Sequence, residues 1–307
     1  MDYIALAFDL AKEYGFNFAQ FNPISVYTIN EDNFVIKPIL DGSIDQNDEG
    51  LERIKWILDK MGKGGIIYAR NTEEAERLYE ALRDRYKIGM VSAGKKTDYE
   101  LFEKGELDYL VGTAFYYGTL VRGLDLPERI RFAIFVGAPV IRVRVEDVEK
   151  AGTGMIKVLA FIFRRDERVR KFLPIIYVID SPKYERELKE LRKVLAELVE
   201  KGMSTEKDIV VRKGEVVFPD VRTYIQGSGR TSRLFTGGIT KGASFLLEED
   251  EEVLSAFVQR AMFYDITFKR PDEVDFGSLL REIEETRGAL RGRERLEEVI
   301  RLSLIHI

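Results

Sequence analysis

Between Gly65 and Val136 the chain repeats one pattern, a short apolar run followed by an amphipathic or charged stretch. Gly65–Ala69 (GIIYA), Lys87–Val91, Tyr109–Gly112 and Arg131–Val136 read as strands. A helix carrying Ala75, Leu78, Tyr79 and Leu82 follows the first, capped by Thr72 and favoured by Glu74 and Glu76 in its first turn. Another is expected over Thr97–Glu103. Continuous apolar runs suit strands buried on both faces, and alternation with helices is how parallel strands are joined. The pattern therefore predicts an α/β fold, a parallel sheet flanked by helices. Leu51, Ile54, Ile57, Leu58 and Met61 mark an amphipathic helix leading in, and Ala243–Leu247 a closing strand.

From about Ile141 to Phe218 the text turns helical and highly charged. Helices are expected over 146–164 and from Ser181 to Lys201, the latter starting at Ser181-Pro182 and stopping at Gly202. IVVRKGEVVF reads as a short β-hairpin turning at Lys213-Gly214. The α/β pattern resumes after Pro219. The expected organisation is a flanking segment (1–48), an α/β domain in two pieces (49–140 and 219–270), a mostly helical insertion with a hairpin (141–218), and a charged helical linker (271–307). In the flanking segment, residues 2–14 form a helical stripe, and Ile24–Ile29 and Phe34–Ile39 two short strands. Arg164, Arg165, Arg168, Arg170 and Lys171 in the insertion could track nucleic acid or form a solvated face, since Asp166 and Glu167 interrupt them.

Several chemistries are excluded. The 307 residues contain no cysteine and a single histidine, His306, so disulfides, zinc fingers, thiol catalysis and a serine–histidine triad are out. No apolar run approaches the ~18 residues of a membrane span, the N-terminus lacks a signal-peptide form, and the cytoplasm is the default address. The net charge of −5 does not advertise a nucleic-acid binder, though an average leaves room for a local basic face. Charged residues at 33% without cysteine fit the ion-pair-rich surface of a hyperthermophile protein.

Chemistry concentrates in the string Tyr224-Ile-Gln-Gly-Ser-Gly-Arg-Thr-Ser-Arg233, which sets Gln226, Arg230 and Arg233 around Gly227 and Gly229 where a helix meets a loop. Arginines three apart project from one side of a helical turn. A guanidinium keeps its charge and presents a fixed fork of donors, which suits the transferring phosphate of a nucleotide. Glycines let backbone approach a ligand. An isolated R-x-x-R is more often two solvated arginines, so the weight rests on the whole string. Gly89 to Thr97 approaches the phosphate-cradling G-x-x-x-x-G-K-[ST] loop, but Lys96 stands where a hydroxyl must hold Mg²⁺ and Gly89 falls inside a strand. No D-E-x-[DH] string follows an apolar strand. The chain thus lacks the parts that hold nucleotide phosphates and magnesium directly. In the stretch Val111 to Pro127, Thr113 ends a strand where a hydroxyl can meet phosphate, and Arg122-Gly123-x-Asp125 groups a cation, a hinge and a carboxylate. The plain alternative there is a structural loop with Arg122 and Asp125 paired. Tyr116-Tyr117 could stack on bases or pack in a core.

Together these strings resemble motifs V and VI of superfamily 2 helicases. YYGTLVRGLDLPERIRFAIFVGAP, FPDVRTYIQGSGRTSR and GGITKGASFLLEEDEE are similar to the reverse gyrases, a resemblance covering roughly residues 50–300. GIIYAR (65–70) stands where motif IV would, and VSAGKK where a second nucleic-acid-touching loop would. The resemblance implies a RecA-like domain, the second of two helicase domains, with residues 141–218 in the place of that family's latch. It implies arginine fingers at Arg230 and Arg233, acting on a γ-phosphate. It implies that Gln226 touches the nucleotide or its attacking water, and that Asp125, Gly123 and Gly229 line the nucleotide site. Thr113 and Arg122 would link the DNA backbone to that site, and Arg70, Ser92, Lys95 and Lys96 would contact DNA phosphates. ATP and Mg²⁺ are implied as cofactors, held mainly by a first helicase domain. The implied partners are DNA, that first domain and a topoisomerase half. The family's P-loop, cysteine zinc fingers and catalytic tyrosine have no counterpart in these residues, and Ser303–Ile307 falls about where the topoisomerase half would begin. The chain alone is therefore expected not to hydrolyse ATP. Two other expectations compete: a non-catalytic DNA-binding or adaptor module using the insertion, and a complete enzyme with an unfamiliar nucleotide site around 89–97.

Overall fold

The structure is a computed structural model that describes residues 32–36, 49–91, 97–113, 126, 129–202, 207–231, 234–235 and 238–288. These divide into two compact units. One holds the described residues up to Pro139, Arg222–Glu249 and those from Tyr264 onward; the other holds Val140–Val221 and Asp250–Phe263.

The first unit is built on a parallel sheet. Its strands are β1 (Asp32–Ile36), β2 (Gly65–Ala69), β3 (Ile88–Met90), β4 (Tyr109–Thr113), β5 (Phe132–Val136), β11 (Ala243–Leu247) and β12 (Phe268–Lys269); helix α3 (Thr97–Lys104) precedes β4, and β9 (Leu234–Phe235) and β10 (Gly238–Ile239) form a separate antiparallel pair. They lie in the order β12-β1-β11-β5-β2-β4-β3, every neighbouring pair parallel. Helices α1 (Glu49–Met61) and α2 (Thr72–Leu82), with a helix over 276–288, bury Leu51, Ile54, Leu78, Phe276 and Ile283 against the face carrying Ile67, Val111, Ile134 and Phe245. Each such side chain, fully buried, contributes about 1.5–3 kcal/mol. The α/β fold with a parallel sheet is thus as the alternation predicts. The strand Asp32–Ile36 pairs directly with β11, so part of the N-terminal flanking segment belongs to the central sheet. The cap of α2 is Asn71 rather than Thr72: its side chain accepts from Glu74 N at 2.8 Å, leaving Thr72 as the first helical residue. The expected 2–14 helix, the Ile24–Ile29 strand and Tyr116-Tyr117 lie outside the described residues.

The second unit contains a three-stranded antiparallel sheet, β6 (Val140–Arg144), β7 (Val210–Arg212) and β8 (Glu215–Pro219), in the order β6-β8-β7. The β7–β8 hairpin turns at Gly214 as its sequence suggests. The single helix expected over 146–164 is instead α4 (Val145–Val148) and α5 (Thr153–Ile162), interrupted at Gly152, whose backbone is extended and which stands as N-cap of α5. Short α6 (Glu167–Arg170) and two 3-10 stretches (Leu173–Val178 and Pro182–Tyr184) lead into α7 (Glu185–Lys201). Leu191, Leu195 and Val199 of α7 meet Ile156, Leu159, Val169 and Val216 in this unit's core. The basic cluster is largely engaged within the protein: Arg168 pairs with Asp166 and Glu197, and Lys171 with Glu190. No helix among the described residues is long and apolar enough to cross a membrane.

Candidate functional site

The glycine-arginine string occupies α8 (Val221–Ser228) and a 3-10 turn, Gly229–Thr231. Helix α8 packs on the sheet face opposite α1 and α2, because residues alternate sides along a strand and Tyr68 and Phe135 point away from that core. Tyr224 is fully buried with its ring 4.7 Å from that of Phe135, which in turn lies 4.8 Å from Tyr68. Gly227 permits this approach: a Cβ there would sit 2.7 Å from Phe135 Cζ and 3.0 Å from Tyr68 Cε2. The Tyr68 hydroxyl donates to the Gly227 carbonyl at 3.3 Å. Burial pushes that hydroxyl's pKa well above the ordinary tyrosine range, and the nearby charge of Arg230 pulls it back. Arg230 is therefore electrically coupled to the end of β2.

The turn itself is fixed from below. Thr231 is fully buried, and its hydroxyl donates to the Ser228 carbonyl at 2.9 Å. Gly242 lies flush against it: a Cβ there would be 2.2 Å from Thr231 Oγ1 and 2.5 Å from its carbonyl oxygen. Arg287 donates to the Thr231 carbonyl at 2.7 Å. Above these contacts Gly229 and Arg230 are half-buried, and Gln226, about one helical turn back, is exposed.

A second group gathers at the carboxyl ends of the strands. Thr113 closes β4 directly opposite Ala69 of β2, and Arg70 follows. The Arg70 guanidinium donates to Glu74 Oε1 from Nε (3.0 Å) and Nη2 (2.7 Å) and to Glu249 Oε1 from Nη1 (3.2 Å), while its amide donates to Glu74 Oε2 at 2.7 Å. Burial works against its charge, but the two carboxylates outweigh that and raise its pKa. Arg70 is thus held by two carboxylates. A phosphate bound at Arg70 would have to compete with them. Thr113 and Arg70 come together, as do Gln226, Gly229 and Arg230, and Tyr68 connects the groups, lying two residues before Arg70 and bonded to Gly227. Ser92, Lys95, Lys96, Arg122, Gly123, Asp125 and Arg233 lie outside the described residues. Sequence reasoning missed Tyr68, Glu74 and Arg287. The only available signals were a tyrosine in an otherwise aliphatic strand and the N-x-x-E spacing of Asn71 and Glu74. Among the described residues no group of three or more histidine, aspartate or glutamate side chains could hold a metal ion.

No family model matches the chain. It is 37% identical over 293 residues to a reverse gyrase of Pyrococcus horikoshii, an alignment spanning 81% of this chain and 18% of that protein. It is 33% identical over 310 residues to a reverse gyrase of Pyrococcus furiosus, covering 86% of this chain and 26% of that protein.

Over about four fifths of its length the chain is similar in sequence to part of the reverse gyrases.

A family member from Aquifex aeolicus, reverse gyrase 1, is 32% identical over 272 residues, 78% of this chain and 23% of that protein. The chain therefore spans only about a fifth to a quarter of the length of these curated relatives. Among solved structures, the C-terminal domain of the DEAD-box protein Dbp5 superposes with a TM-score of 0.43 at 14% identity, covering 85% of this chain and 99% of that one.

Proposed function

We propose that this chain is the second helicase domain of a reverse gyrase-like, ATP-dependent DNA-topology enzyme. In this reading it contributes cations to a nucleotide site whose phosphate-holding parts lie on another domain. The observation that carries it is the seating of Arg230. Its turn is clamped by Gly227 against Phe135 and by Thr231 against Gly242, while the side chain remains half-exposed beside the end of β2. An arginine carried on a fixed turn and partly exposed can be presented to charge developing on a transferring phosphate with little rearrangement of its backbone. These residues fit a nucleotide's phosphates as a source of charge. The carboxylates near Arg70 already pair with arginine, so Mg²⁺ would be held by the other domain.

When bound, ATP supplies the phosphoryl group and Mg²⁺ neutralises its oxygens. This chain's residues do the remainder. Arg230 and Arg233 would complete the cationic lining, Gln226 would touch the nucleotide or orient its attacking water, and Asp125, Gly123 and Gly229 would line the nucleotide site. Thr113 and Arg122, joined by Arg70, Ser92, Lys95 and Lys96, contact DNA phosphates, which positions DNA without reading its sequence and weakens with salt. Closure of the two helicase domains would bring the arginines to ATP and alter the grip on DNA together. Residues 141–218 would be the latch that links this motion to the topoisomerase half.

The test is reconstitution. A P-loop-bearing first helicase domain added in trans should restore DNA-stimulated ATP hydrolysis, and Arg230→Ala should abolish it. If the added domain changes only DNA affinity, the chain is a binding or adaptor module instead.

A further inference from the structure

The helix over 276–288 reaches under the Arg230 turn through one side chain. Arg287 is 0% exposed, an uncommon setting for a residue that keeps its charge. Its Nη2 donates to the Ile130 carbonyl at 2.5 Å and to the Thr231 carbonyl at 2.7 Å. Its Nη1 donates to the Ile283 carbonyl at 3.2 Å and to the Lys241 carbonyl. A single guanidinium thus joins four pieces of chain: the approach to β5, the approach to β11, its own helix and the last residue of the Gly229–Thr231 turn. A planar fork with fixed donors can hold several carbonyls at once, which the single ammonium of a lysine cannot match.

The same helix is tied down around this point. Thr286 Oγ1 accepts from Lys241 N at 3.0 Å, Lys241 Nζ pairs with Glu282 at 2.6 Å, and Arg131 pairs with Glu284. These contacts fix the helix to the amino ends of β5 and β11. Arg287 carries the attachment through to Thr231, the residue after Arg230, and it does so through a backbone carbonyl. The position of the turn therefore follows the position of the helix. Ring contacts continue the connection outward, since Phe276 of this helix meets Trp56 of α1 at 5.5 Å.

We propose that Arg287 is a positioning residue for Arg230, a mechanical link by which displacement of the helix over 276–288 shifts the arginine that reaches for nucleotide phosphate. This rests on the reading of Arg230 given above. It adds a route of control: whatever moves that helix, whether domain closure or a neighbouring domain, changes the reach of Arg230 without touching it.

Amide hydrogen exchange on the full chain tests the link directly. In Arg287→Met, peptides spanning 225–231 should exchange at least tenfold faster, while those from β2 and β4 keep their protection. Arg287→Lys retains charge and stem but loses the fork, so it should give an intermediate rate; it decides the question should the methionine variant fail to fold. Unchanged exchange at 225–231 in the folded variants would overturn the proposal, and so would an equal acceleration throughout the first unit. The reconstituted ATPase supplies a second readout. Arg287→Lys should lower kcat with little change in KM for ATP; kcat equal to that of the parent, or kcat and KM shifted together, would count against a positioning role. Should the unsubstituted domains show no turnover, the helicase-domain reading fails while the exchange result still decides the link.

Discussion

Replacing Gly242 with alanine should destabilise the first unit in a way that depends on Thr231. The added Cβ would lie 2.2 Å from Thr231 Oγ1, 2.5 Å from its Cβ and 2.5 Å from its carbonyl oxygen, whereas ordinary contact begins at 3.4 Å. The overlap is near 1 Å on three atoms at once, and one of them is backbone whose carbonyl is already fixed by Arg287. Overpacking of a closed site costs about 1–3 kcal/mol, and this geometry belongs at the upper end, about 3 kcal/mol. Thr231→Ala alone loses one buried hydroxyl bond, about 1 kcal/mol. In the double variant the hydroxyl no longer collides with the new methyl, but the Thr231 Cβ and carbonyl contacts remain, so the costs should fall short of additive by about 1 kcal/mol. The single tryptophan, Trp56, sits in α1 and reports on this unit alone. Urea unfolding followed by its fluorescence should show the midpoint falling by about 1 M for Gly242→Ala, taking a slope of about 3 kcal/mol per molar. A midpoint within about 0.2 M of the parent, or strict additivity in the double variant, would refute the claim that Gly242 seats the Arg230 turn.

Two further expectations concern the second unit. Gly202 ends α7 in the left-handed region (φ 66°), and a Cβ there would meet Lys213 N at 2.5 Å, so Gly202→Ala should cost about 1 kcal/mol or more, read as a lower unfolding midpoint by far-UV circular dichroism. The Asp250 carboxyl is held below its usual range chiefly by the hydrogen bond from Arg212, at 2.6 Å. A depressed folded pKa gives stability that is present above the unfolded value near 4 and lost as pH falls through the folded value. Stability should therefore drop as pH falls below about 4, the ordinary carboxylate value, and Arg212→Met should flatten that acid limb; an acid limb identical in the variant would dissociate Asp250 from it.

The parallel sheet was readable because its strands are buried on both faces and so appear as unbroken apolar runs. Gly65–Ala69 and Ala243–Leu247 have the same bounds in the structure as in the sequence reading. Edge and insertion elements were harder. In β6 Val143 is buried while Ile141, Arg142 and Arg144 are exposed, so its text carries too little apolar signal to stand out from the charged stretch around it. The break between α4 and α5 turns on Gly152, a residue that helical periodicity alone passes over. At the candidate site, Arg230 falls in the turn just past a helix end, as its string implies, with Gly229 immediately before it and Thr231 after it. Arg70 paired with Glu249, 179 residues away, and Arg287 bonded to Ile130, 157 residues away, are contacts that only the assembled sheet creates. A charged residue in a charged helix reads as solvated, and nothing local distinguishes Arg287 from its neighbours.

The central claim is that Arg230 acts on a nucleotide held by another domain. Single-turnover release of γ-phosphate, with a P-loop-bearing first domain in trans and DNA present, measures this most directly. Arg230→Ala should lower the rate by about 10³-fold or more while leaving ATP affinity nearly unchanged, the magnitude of a lost arginine finger. Turnover in the Arg230→Ala protein equal to that of the parent, or DNA-stimulated hydrolysis by the chain with no first domain added, would contradict the account.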